Sequence, residues 1–158
     1  MAKYYSYRVT PVCTTAAITD GKALVRTPTP IITGARPGQS VKLVSMTVLD
    51  MEDQAKNINV QFWQSKLGGA IAADGGSPNI TDANVLLNVP LGAINFRHVG
   101  IGDMVGSEID STLNYDLVLT TSRDSLQGEI YFTALAAESS IDLAAADSYT
   151  FIFGFQVS

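Results

Sequence analysis

Hydrophobic and polar positions alternate with a period of two in several stretches of the chain, the pattern of β-strands with one buried face. Asn57–Gln64 is the cleanest case, with Ile58, Val60 and Phe62 on one face and Asn57, Asn59 and Gln61 on the other. Val41–Leu49 is apolar and β-branched on both faces, as a central or interface strand would be. The polar segment 50–56 between them is close to hairpin length and predicts a hairpin. Leu113–Leu119 and Gly128–Ala134 predict a second hairpin across residues 120–127. Tyr149–Val157 places Tyr149, Phe151, Phe153, Phe155 and Val157 on one face, and Gly154 within it predicts a bulge or a close backbone approach. Weaker strand signals cover Tyr4–Thr10, Val12–Ile18, Lys22–Arg26 and Ala93–His98.

The intervening segments read as turns and loops. Pro28, Pro30 and Pro37 with Gly34 and Gly38 make residues 27–40 a loop or a broken edge strand. Residues 67–79 have the composition of a flexible surface loop. Thr81–Leu87 predicts a helical turn with Thr81 or Asp82 as its N-cap, and residues 137–148 predict a long connection holding another. No internal period recurs. These elements imply an all-β fold: an antiparallel β-sandwich, jelly-roll-like, of eight to nine strands with one or two short helical turns. Residues 1–19 are set apart as an N-terminal contact arm and residues 20–158 as the sandwich domain.

Composition narrows the class. A chain of 158 residues makes one domain, and 46% hydrophobic residues exclude disorder, while 16% charged residues point to a polar rather than ionic surface. No apolar run is long enough to span a membrane, and residues 1–8 lack the apolar core of a secretory signal. Cys13 is the one cysteine, so no intrachain disulfide forms, which suits a reducing compartment. Net charge is −5, which argues against a nucleic-acid partner. Residues 1–66 carry eight basic and four acidic side chains (+4), and residues 67–158 carry two basic and eleven acidic ones (−9). Either the molecule has a basic and an acidic end, suited to subunit packing, or the segments interleave and the asymmetry disappears.

The inventory for catalysis is poor. His98 is the one histidine, so neither a zinc site nor a Cys13–His98 dyad is expected, and Cys13 reads as a small core residue on a strand. Asp50, Glu52 and Asp53 lack the loop pattern of a calcium site and read as a solvated turn. Gly100–Gly106 spaces its glycines as G-x-G-x-x-x-G with no lysine following, matching neither nucleotide fingerprint, and reads as a turn. Asn79–Thr81 is a glycosylation sequon that goes unused without a signal peptide. No enzyme activity, metal or cofactor is expected. Tyr4, Tyr5 and Tyr7 with Lys3 and Arg8 have the composition of a protein-contact arm, and equally that of a first strand packed on the core.

Asp20-Gly21, Gly38, Ser40, Val44–Asp50, Gln54 and Val60–Phe62, with Leu117–Leu119, Ile130–Phe132 and Phe151–Gly154 as closing strands, form a pattern similar to that of a family of small phage virion proteins. The resemblance covers most of the chain from residue 20 onward, and residues 1–19 fall outside it. It implies a head-decoration (capsid cement) protein of a tailed phage with a jelly-roll or related sandwich fold. Such a protein sits on the outer capsid surface after assembly in the bacterial cytoplasm. Its expected partners are the major capsid protein and its own copies, as a homotrimer or a dimer, with no membrane. Tyr4, Tyr5, Tyr7, Arg8, Arg26 and Arg36 are the contact residues expected from charge and composition. The competing expectation is a head-fibre or tail-associated sandwich that binds host glycans through Trp63 and the 67–79 loop.

Overall fold

In the computed structural model, residues 1–66, 69–98, 102–104, 107–137 and 140–158 are described. Nine strands and one helix follow in order: β1 (Lys3–Val9), β2 (Ala23–Ile32), β3 (Ser40–Asp50), β4 (Ile58–Trp63), α1 (Asp82–Asn88), β5 (Pro90–Phe96), β6 (Gly102–Met104), β7 (Ser107–Thr120), β8 (Glu129–Ala136) and β9 (Tyr149–Val157). They form two antiparallel sheets, one in the order β1-β9-β3-β7-β6 and the other in the order β2-β8-β4-β5. Without the short β6, this is the two-sheet, eight-strand order of a jelly roll.

The topology corrects both expected hairpins. β3 and β4 lie in different sheets, as do β7 and β8, so residues 51–57 and 121–128 cross the sandwich rather than turn back along it. Alternation states which face of a strand is buried and says nothing about its neighbour. The strands consecutive in the chain that do pair are β4 with β5, across the long 64–89 connection, and β6 with β7. The Gly100–Gly106 turn lies partly outside the described residues, and Gly102–Met104 within it is strand.

β9 explains the centre of the molecule. Its alternating side chains Tyr149, Phe151, Phe153 and Phe155 are all buried. Phe153 meets Phe62 of β4 edge-on at 5.9 Å and Phe132 of β8 at 5.2 Å, so rings from the two sheets interlock. Such pairs add about 0.5–1.5 kcal/mol each beyond burial. Gly154 faces a register shift in β3 between Leu43 and Ser45. A Cβ on Gly154 would collide with the Ser45 hydroxyl, so the glycine makes room for the neighbour's bulge. The same bulge lets β3 bury Val41 and Leu43 before it, then Met46 and Val48 after it.

Several local expectations meet tertiary structure. Of the proline-bearing stretch 27–40, residues 27–32 are the broken edge strand, one of its two readings, and residues 33–39 are the loop. β2 lies at a sheet edge, carries Pro28 and Pro30 and shifts register between Val25 and Thr29. Val12–Ile18 is not a strand; only Ile18 bridges, to Ile141. Cys13 is therefore buried in a non-strand segment, its amide donating to the Ala146 carbonyl at 2.8 Å. Thr81 caps α1 by accepting from the Asn84 amide at 3.3 Å. The second helical turn is absent from the described part of 137–148. Residues 69–80 are anchored, not free: Ile71 and Ala72 pack on Trp63 and Ala23, and the Ile71 amide donates to the Arg26 carbonyl at 2.7 Å.

The fold also decides the charge question. Each sheet alternates strands from residues 1–66 (β1 and β3, or β2 and β4) with strands from residues 67–158 (β9 and β7, or β8 and β5). Lys42 of β3 pairs with Asp116 of β7 at 2.5 Å, and Arg26 of β2 approaches Asp74 at 3.9 Å. The two halves interleave.

Candidate functional site

β1 holds one edge of the five-stranded sheet, pairing with β9 from Lys3↔Val157 to Val9↔Phe151. The segment read equally as a contact arm and as a first strand thus contributes a strand to the sandwich. Tyr7 and Val9 pack on the core. Tyr4 and Arg8 lie on the opposite, outer face, with Tyr4 70% exposed. Tyr5 shares the inward side of Tyr7 but lies beyond the end of the core, where its ring rests on the backbone of Gly34. Gly34 has φ +77°, and a Cβ there would enter the Tyr5 ring, so this position requires glycine twice over.

The connection 33–39 that follows β2 is held firmly. The Thr33 hydroxyl donates to the Gly128 carbonyl at 2.7 Å. Gln39 Oε1 accepts from the Arg36 amide at 3.1 Å, while its Nε2 donates to the Ser158 carbonyl at 2.8 Å. The Thr121 amide donates to the Gln39 carbonyl at 3.0 Å, and its hydroxyl lies 2.8 Å from the Arg36 carbonyl. This fixes the backbone of Arg36 and leaves its side chain in solvent. Lys3, Tyr5, Gly34, Arg36 and Gln39 then line an open groove of about 640 Å³ between the start of β1 and the end of β9. Among the described residues, Lys3, Arg8 and Arg36 make no ion pair.

Of the six residues expected at a contact surface, the fold gathers Tyr5 and Arg36 into this groove. Tyr4 and Arg8 are on the adjoining outer face, Tyr7 is turned to the core, and Arg26 is on the other sheet facing Asp74. Lys3 completes the groove. Its alternation with Tyr5 along β1 was the available signal, since residues two apart on a strand share a side.

The other polar candidates serve structure. Asp50 is buried, not solvated. Its carboxylate accepts from the amides of Glu52, Gln54 and Ala55 at 3.1, 2.6 and 3.1 Å and from the Tyr149 hydroxyl at 3.3 Å. It thereby shapes the crossing from β3 to β4, where Asp53 and Ala55 adopt positive φ. Glu52 accepts from the Ser148 hydroxyl and from the amides of Ala144 and Ala145 at 2.8 and 2.9 Å. Those three donors hold its carboxyl below the ordinary range. Burial, then the Asp50 carboxylate, pushes the Tyr149 phenol up. Burial pushes the Cys13 thiol up to about 12, which suppresses the thiolate a nucleophile needs. The His98 amide donates to Asn57 Oδ1 at 2.9 Å at the end of β5. Among the described residues no three His, Cys, Asp or Glu side chains converge as a metal site, and no helix is long and apolar enough to cross a membrane.

The expected glycan-binding aromatic is also accounted for. Trp63 is 6% exposed, its indole N–H donating to the Thr133 hydroxyl at 3.0 Å beneath the 69–80 segment. It offers no face to a sugar.

No protein-family model matches the chain, and no curated protein matches it by sequence. Among solved structures, a chain from the crystal structure of tomato aspermy virus is 16% identical with a TM-score of 0.40, over 98% of this chain and 76% of that one. A chain of the infectious bursal disease virus (IBDV) T13 particle is 8% identical with a TM-score of 0.34, and this chain spans 99% of itself but 31% of that one. Murine APRIL is 13% identical with a TM-score of 0.34, over 99% of this chain and 100% of that one. Likenesses of this size carry no argument about function, and the jelly-roll assignment rests on the strand order and register of this chain.

Proposed function

We propose that this protein is a structural component of a virion: a decoration protein that binds across neighbouring major capsid subunits on the outside of a tailed-phage head, assembles as a homotrimer, and is made in the bacterial cytoplasm. The observation that carries the reading is the groove beneath β1. A hydrogen-bonded floor presents Lys3 and Arg36, which make no ion pair among the described residues, in one groove with Tyr5, along a strand that forms an edge of the sheet among the described residues. Cations next to an aromatic suit an acidic protein surface, and an open strand edge can add main-chain hydrogen bonds to a neighbouring chain. The resemblance to small phage virion proteins, over most of the chain from residue 20 onward, points to the same role. A decoration protein needs no chemistry of its own, because many weak, symmetry-related contacts sum to firm attachment.

Charge reversal tests the assignment. Lys3→Glu with Arg36→Glu should lower occupancy on expanded, undecorated heads at least tenfold at equal protein concentration. Arg26→Glu, on the other sheet, should change it little. Unchanged occupancy of the double variant would remove the groove from the contact.

A further inference from the structure

The end of the sandwich remote from that groove carries a second concavity of different chemistry. Asp20 from the β1–β2 connection, Asn57 and Asn59 at the start of β4, and Asn95 and Arg97 at the end of β5 surround a cleft of about 290 Å³. Its walls are fixed by backbone bonds. The Gly21 amide donates to the Ala136 carbonyl at 2.9 Å, the Ala136 amide to Lys22 at 2.9 Å, and the Ala137 amide to Asn57 at 3.0 Å. Leu135 and Ala137 contribute an apolar floor.

The polar rim mixes donors and acceptors at close range. Asn59 Nδ2 donates to Asn95 Oδ1 at 2.7 Å, so the pair still offers the Asn59 amide oxygen as an acceptor and the Asn95 NH2 as a donor on the lining of the cleft. Arg97 is exposed and makes no ion pair among the described residues, and Asp20 lies on the same rim with the opposite charge. With one acidic and one basic side chain on the rim, Asp20 and Arg97, the cleft carries no net charge that would select an anion or a cation. A neutral ligand bearing adjacent hydroxyls, each both donor and acceptor, matches paired amides, and its C–H face matches Leu135 and Ala137. A rigid, small cleft with few convergent polar groups over an apolar floor is the usual form of a small-ligand site. We propose that this cleft binds a neutral sugar residue of a glycan. The site lies on the end turned away from a shell gripped through Lys3 and Arg36, but its existence does not depend on that docking.

The test uses the intact, free protein, titrated with the methyl glycosides of glucose, mannose and galactose and with N-acetylglucosamine while amide resonances are followed by NMR, and then applied to an array of bacterial polysaccharides. The expected result is a saturable response to at least one sugar. Shifts should map to Asn57, Asn59, Asn95 and Arg97, and affinity should fall at least tenfold in Asn59→Ala/Asn95→Ala. Arg97→Ala, at an exposed position, gives an independent loss should the double variant fold poorly. Silence toward every sugar and polysaccharide overturns the proposal, as does binding that survives these variants or maps elsewhere.

Discussion

Gly21 and Gly128 share a left-handed backbone, at φ +76° and +64°, yet the space around them differs. A Cβ on Gly21 meets nothing within 4 Å, whereas one on Gly128 would overlap the Ala35 carbonyl oxygen. Gly21→Ala should therefore cost only the left-handed strain, about 1 kcal/mol. Gly128→Ala adds displacement of the backbone that carries Arg36 and should cost more than about 2 kcal/mol. Urea unfolding of the two variants measures both, and equal losses would contradict the packing described at Gly128. Trp63 supplies a second residue-scale reading, since it is the chain's one tryptophan. Its emission should be blue-shifted and poorly quenched by iodide. Ile71→Asp, which charges the segment covering it, should shift emission to the red and admit the quencher.

At the scale of elements, the β3–β4 crossing of the sandwich depends on polar groups, Asp50 and Glu52, that local sequence patterns assign to solvent. Glu52 ties the β3–β4 crossing to the β8–β9 connection through Ser148, Ala144 and Ala145. Because its folded-state pKa is lowered, the unfolded chain binds the proton more readily. The contribution is present above the unfolded carboxylate pKa and is lost as pH falls through the lower folded value. Stability followed from neutral pH into the acid range should decline with a slope that Glu52→Gln reduces. An unchanged slope would show that the tie carries no proton linkage.

What the sequence made legible follows the same division. The buried face of β9, the outward amides of β4 and the Thr81 cap depend on residues within one element, and each was readable from periodicity or a local capping rule. The partners of β3 and β7 were not, because a polar connection of that length can turn within a sheet or cross the ~10 Å between sheets. Trp63 and Ile71 escaped for a related reason. A glycine-rich segment reads as mobile until the outer face of β4 and β8 gives Ile71 and Ala72 somewhere to pack. Asp50 read as solvated by residue type, whereas its burial follows from amides that converge only once the crossing is formed.

For the whole molecule, the interleaving of strands removes the apparent basic and acidic halves and replaces them with a local contrast between two ends. One end holds the cationic groove of Lys3, Tyr5 and Arg36, and the other holds the amide cleft of Asn57, Asn59 and Asn95. Only part of this was foreseeable. Tyr5 and Arg36 were among the expected contact residues, but their meeting depends on Gly34 seating the Tyr5 ring and on Thr121 and Gln39 fixing the Arg36 backbone. Arg26 was expected beside them, yet its position on β2 turns it toward Asp74. The amides of the cleft were legible as an outward face of β4 and not as a site, because Asn95 reaches Asn59 through a pairing across twenty-six intervening loop and helix positions, 64–89.

We propose that this domain attaches to a viral shell through the Lys3–Arg36 end. The most direct test is co-sedimentation of the purified protein with expanded, undecorated phage heads, with light scattering of the free protein to give the mass of the docking unit. Saturable binding at a fixed ratio to capsid subunits, by a trimer, is expected, and it should weaken when Lys3 and Arg36 are reversed in charge. A stable free oligomer that never sediments with heads would contradict it.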